Sequence, residues 1–159
     1  MTKRSLQYFE ERKRKLDFLI KEVKALPENQ DRLKNELARY LCIRISGLIE
    51  RTVTSFYEEY AQSKGHPNLS RYISKKLNLQ NPSMKKLTEL AGSFNEGWKK
   101  ELDALDDEIK TAVDTIVNIR NHAAHGEDQS ITLSKVESYY KPILKLLNVI
   151  RQQCEIDID

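Results

Sequence analysis

The segment Arg120-Asn121-His122-Ala123-Ala124-His125 holds an arginine, an asparagine and two of the chain's three histidines. Histidine titrates near neutral pH and can move a proton. Arginine can grip two phosphate oxygens at once and meet the charge that develops in a transition state. Asparagine can orient either group. Such a set suits phosphodiester chemistry. RNA would bring its own nucleophile, the 2′-hydroxyl, and no metal would be required.

Geometry sorts these residues if they lie on a helix. Asn121 and His125 are four positions apart and share a face. Arg120 leaves the helix about 100° to the side and is long enough to reach that face. His122 points elsewhere and reads as a surface or interface residue, and His66 as a loop residue. Ala123 and Ala124 add little bulk and would let a second helix come close. A structural reading stands beside the chemical one, because helix C-termini favour arginine and histidine through the dipole alone. Glu50, flanked by Arg44 and Arg51, is a possible supporting residue. Facing inward it needs a partner, either Arg120 or a local arginine.

The elements that must position these groups are helical. From Lys3 to Leu26 the residues Leu6, Phe9, Leu16, Ile20 and Val23 recur at helical spacing, opposite a charged face with Arg12, Lys13, Arg14 and Lys15. Pro27 ends that helix. A second, long helix runs from Asp31 to about Ser63 on a stripe of Leu33, Leu37, Leu41, Ile45, Leu48, Thr52 and Phe56. Ser46 and Gly47 in it would allow close helix approach.

The middle is basic, with Arg71, Lys75, Lys76, Lys85 and Lys86 as candidate RNA-backbone contacts. It predicts two short helices, 69–78 and 83–94, the second capped by Ser83. An acidic run, Asp106 to Glu108, opens the helix that carries Ile109, Val113, Ile116 and Val117 into Arg120, and Gly126 closes it. Ile131 and Leu133 could form a short extended piece. Ser134 to Glu137 reads as a capping box for the last helix, which Pro142 should kink or restart. The expectation is an all-α antiparallel bundle, one domain over residues 1–159.

Composition agrees with that class. At 159 residues, 39% hydrophobic and 32% charged, the chain can bury a core without staples. Its net charge of +3 permits an anionic partner without demanding one. Cys42 and Cys154 have no CxxC spacing and read as free thiols, which points to the cytoplasm. The three histidines and scattered carboxylates match no zinc or two-metal spacing, so no metal or other cofactor is expected. No run is long and apolar enough to span a membrane.

Arg120, four residues, then His125 resembles the Rx4–6H motif of the HEPN superfamily. The wider string from Ile119 to Gly126, followed by Ile131-Thr-Leu133 and Val136-Glu-Ser-Tyr-Tyr140, resembles its RiboL-PSP-like or MAE_28990-like branch. Leu48-Ile-Glu-Arg51 on the long helix is similar too. The resemblance covers roughly residues 30–150. It implies a bundle that dimerises so that two motifs face each other in a composite active site. It also implies metal-independent endoribonuclease activity, with a 2′,3′-cyclic phosphate and a 5′-hydroxyl as products. Toxin–antitoxin or phage-defence systems are the usual setting, with an antitoxin or another defence subunit as partner. Arg120 and His125 would be the catalytic pair, Asn121 their polar companion and Glu50 a weaker carry-over. Some HEPN domains instead serve as non-catalytic dimerisation or partner-binding modules.

Overall fold

The computed structural model describes residues 4–127 and 129–156. In chain order these form α1 (Arg4–Lys24), a 3-10 turn (Glu28–Gln30), α2 (Asp31–Lys64), α3 (Pro67–Lys76), α4 (Met84–Phe94), α5 (Glu96–Asp103), α6 (Asp107–Ala124) and α7 (Leu133–Gln153). No strand occurs among the described residues. Lys3, where the first helix was expected to start, lies outside them.

The long stripe of α2 makes it the axis of the bundle, and α1, α6 and α7 pack on it. Two contacts fix directions. The Ser5 amide on α1 donates to Glu59 near the end of α2 at 3.1 Å, so α1 runs antiparallel to α2. Lys64, the last residue of α2, meets Glu155 just beyond α7 at 2.6 Å, so α7 runs parallel to it. The short connection from α6 to α7 makes α6 antiparallel again. Leu41, Ile45, Ile49 and Phe56 of α2 interlock with Ile116 of α6 and Ile143 and Leu147 of α7, all fully buried. Each such side chain contributes about 1.5–3 kcal/mol through burial.

The stripe is not buried along its whole length. Leu33 is 46% exposed, because no neighbouring helix covers the first turn of α2. Ser46 is buried, but a β-carbon on Gly47 would meet nothing within 4 Å, so no element of this chain uses the expected close approach there.

Three short helices fill the middle, where two were expected. Ser83 caps α4 by accepting from the Lys86 amide at 3.3 Å. The unforeseen α5 starts at Asn95, whose side-chain oxygen accepts from the Gly97 and Trp98 amides at 2.7 and 3.2 Å. Gly97, a poor helix former, hid this start in the sequence. Aromatic contacts dock α4 and α5 on α2: Tyr57–Phe94 centroids lie 4.7 Å apart and Tyr60–Trp98 centroids 5.0 Å.

The start of α7 also differs from expectation. Thr132, not Ser134, is the N-cap and accepts from the Lys135 amide at 3.2 Å. Leu133 is already helical, so Ser134 sits too far inside to cap, and Glu137 instead reaches Lys24 at 3.4 Å. Ile131 is buried in irregular backbone, and of the expected extended piece only the N-cap Thr132 is extended, with no strand formed. Pro142 lies buried within one continuous helix and starts no new segment. Among the described residues no helix is long and apolar enough to cross a membrane.

Candidate functional site at the end of α6

Ile109, Val113, Ile116 and Val117 bury the inner face of α6 and hold it on α2. The helix then stops in a Schellman arrangement. Gly126 takes φ +72°, its amide donates to the Ala123 carbonyl at 3.2 Å, and the Glu127 amide donates to the His122 carbonyl at 2.9 Å. His125 is the C-cap, and its amide still donates to the Asn121 carbonyl at 3.2 Å. The motif therefore keeps its helical register through its last residue.

Arg120 is half-buried, and its guanidinium donates to the side-chain oxygen of Asn81 in the connector between α3 and α4. Asn81 has φ +50°, a left-handed conformation that asparagine tolerates. The Ser83 amide closes on the Asn81 carbonyl at 2.7 Å. One turn and a half earlier on α6, Asp114 accepts from the Met84 amide at 2.9 Å. Thus α6 fastens the start of α4 at two points. Asn81 was not singled out in the sequence, where Asn-Pro-Ser marks only a break. Its one local signal is that asparagine favours left-handed backbone.

The remaining motif residues diverge. Asn121 is half-buried and lines a groove beside α6. His125 is exposed, and no hydrogen bond links its side chain to Arg120 or Asn121. His122 pairs with Glu127 and so braces the turn. His66 caps α3, its Nδ1 accepting from the Asn68 amide at 3.1 Å. Glu50 forms no ion pair with Arg120, whose bond goes to Asn81. The topology explains this. The C-terminal end of α6 lies beside the first half of α2, and Glu50 sits well along that helix. From Asn35, which shares the groove with Asn121, to Glu50 is about 22 Å of helical rise.

The basic residues do not form one patch. Arg71, Lys75 and Lys76 are exposed on α3, with Lys76 placed over the Tyr72 ring at 5.7 Å. Lys86 donates to the Gln80 carbonyl at 2.6 Å and, with Lys76, borders an apolar hollow between α3 and α4. Lys85 faces the α6 groove instead. Among the described residues no three His, Cys, Asp or Glu side chains cluster in a way that could hold a metal ion.

A family model described as RiboL-PSP-HEPN matches residues 7–155. The chain belongs to the HEPN superfamily. The match takes in most of α1, beyond the residues 30–150 that carry the resemblance in the sequence. That agrees with the packing, since Phe9, Leu16, Ile20 and Val23 of α1, all within the match, join the core. HEPN domains are often ribonucleases and commonly dimerise, so membership suggests action on RNA or nucleotides. No curated protein and no solved structure matches the chain.

Proposed function

We propose that this HEPN protein is a metal-independent endoribonuclease that works as a homodimer. The observation that carries the reading is the exposed His125, whose side chain has no partner among the described residues, about one and a half turns beyond an Arg120 held in place by Asn81, at the end of α6 in a HEPN chain. A lone copy offers half a site. The half-buried Ala123 and exposed Ala124 leave room for a second copy to bring its own Arg120 and His125 opposite. Arg120 then binds the scissile phosphate and meets the charge of the transition state. His125 takes the proton from the attacking 2′-hydroxyl as general base or gives one to the leaving 5′-oxygen as general acid, and Asn121 orients the phosphate. The 2′-oxygen attacks phosphorus and the 5′-oxygen leaves, giving a 2′,3′-cyclic phosphate and a 5′-hydroxyl. The biological role is that of a cytoplasmic toxin or phage-defence effector, held silent by an antitoxin or another defence subunit.

The test is cleavage of RNA in the presence of EDTA. Loss of cutting in both Arg120→Ala and His125→Ala, with cyclic-phosphate ends from the wild type, is the expected result. Failure of the wild type to cut tRNA, mRNA or rRNA would sink the proposal. One observation favours a second reading, a non-catalytic dimerisation or partner-binding module. Arg120 is already engaged by Asn81, as a purely structural arginine would be. On that reading Arg120→Ala weakens dimerisation or partner capture while no RNA is ever cut.

A further inference from the structure

A groove of about 1150 Å³ runs beside α6. Along one wall lie Thr111, Asp114, Asn118 and Asn121, spaced three and four apart and therefore on one helix face. The next position in that register is His125, whose amide keeps its bond to Asn121. The groove thus points at the end of α6 that carries the proposed chemistry.

Its charged groups are unevenly committed. Lys85, in the first turn of α4, and Lys135, in the first turn of α7, are exposed and form no ion pair among the described residues. Lys110 is held by the Asp103 carbonyl, and Asp114 by the Met84 amide. Asp107 stands at the far end, in the first turn of α6. Tyr139 supplies an aromatic ring, and the amides of Asn118 and Asn121 supply both donors and acceptors. The volume exceeds the roughly 300–1,000 Å³ of a typical small-molecule pocket. It suits an extended chain better than a single nucleotide.

We infer that this groove carries the single-stranded RNA leading into the Arg120–His125 end of α6, with Lys85 and Lys135 on its phosphates, Asn118 and Tyr139 against its bases, and Asn121 at the scissile phosphate where the groove meets the site. The inference rests on the ribonuclease reading above. A single strand fits because amide and aromatic contacts reach only unpaired bases. It also divides the basic residues of the sequence. Lys85 belongs to the RNA path, and Arg71, Lys75, Lys76 and Lys86 do not.

The experiment measures binding of a fluorescein-labelled RNA of about 12 nucleotides to the His125→Ala protein by fluorescence polarisation, so that the probe survives. Adding Lys85→Glu with Lys135→Glu is expected to weaken binding about 10-fold or more and to lower the salt slope by about 1.4, for two lost phosphate contacts on a single strand. Lys75→Glu with Lys76→Glu should change affinity by less than about twofold. If the double reversal does not melt as a folded protein, the single Lys85→Ala and Lys135→Ala variants replace it, each expected to weaken binding about threefold. Unchanged affinity in the groove variants overturns the inference while leaving the ribonuclease reading intact if the wild type cuts RNA. Loss of binding by the groove variants, with no cutting by the wild type, sinks the ribonuclease reading and keeps the groove. A wild type that neither binds nor cuts RNA defeats both, and a groove found to capture a protein instead of RNA overturns the inference alone.

Discussion

The Arg120 guanidinium donates to the Asn81 side chain across 39 residues of sequence. This one bond ties the motif helix to the connector that starts α4, and it turns the arginine toward the rest of its own chain. A guanidinium held by a fixed acceptor loses less side-chain freedom when a phosphate arrives. The same bond has a structural effect, since a hydrogen bond to a charged group contributes about 1.5–3 kcal/mol.

Arg120→Lys should therefore destabilise the protein by about 1–3 kcal/mol, and Asn81→Ala by about 1 kcal/mol more, because alanine is strained at the φ of +50° that Asn81 adopts. Thermal melts should fall by roughly 2–4 °C for each kcal/mol lost. The double variant should cost clearly less than the sum, because both changes break one interaction. Additive losses in the melts would show that the two residues act independently.

His125→Ala should leave stability within about 0.5 kcal/mol of the wild type, because the side chain is exposed and has no partner among the described residues. RNA cleavage should nonetheless fall by about 10²–10⁴-fold. His122→Ala removes the contact to Glu127 and should spare cleavage. Gel assays on the two variants separate the histidines. Equal losses in both would contradict the assignment.

A composite site predicts complementation. Inactive Arg120→Ala protein still carries His125, and inactive His125→Ala protein still carries Arg120. Mixed and allowed to exchange subunits, they should recover part of the cleavage, because one intact cross-pair then forms in the mixed dimer. A mixture that stays inactive despite proven exchange would place both residues of a working site on one chain.

Gly126→Ala should cost about 1 kcal/mol, measured as a lower urea midpoint. At φ +72° the added β-carbon meets backbone strain only, with nothing within 4 Å to clash. Gly126→Asn should lose less, because asparagine tolerates the left-handed region. Equal stability of all three proteins would mean that the turn after α6 relaxes freely.

Burial of Cys42 pushes its thiol up from 9.0 to about 12. The folded state then holds a proton that the unfolded state gives up. This contribution is fully present below about pH 9 and is lost as pH rises toward 12. Tyr57 and Tyr140 are raised by burial and act in the same direction at higher pH. Urea midpoints should therefore drop from pH 9 upward, and Cys42→Ala should flatten the first part of that drop. A wild-type curve that stays level to pH 11 would refute this.

Where the sequence was legible, local physics decided the outcome. The boundaries of α2, α4 and α6 follow apolar periodicity, the Ser83 cap and the glycine after His125. It was less legible where two local signals competed. Thr132 and Ser134 are both good caps, and the chain entering from the buried Ile131 selects the first. Asn95 and Gly97 argue for and against a helix, and the docking of Trp98 against Tyr57 and Tyr60 settles it in favour of α5.

The candidate site divides in the same way. Spacing alone put Arg120, Asn121 and His125 on the last turn of one helix, because helical register is a property of consecutive residues. Only the tertiary structure decided where their side chains go. It gave Arg120 to Asn81, turned Asn121 into a groove with Lys85 and Lys135, and left His125 open. It also left Glu50 unpaired with Arg120, because an antiparallel α6 ends beside the other half of α2. These outcomes join residues far apart in the chain. They depend on helix direction and on which faces the core consumes, and no local pattern encodes either.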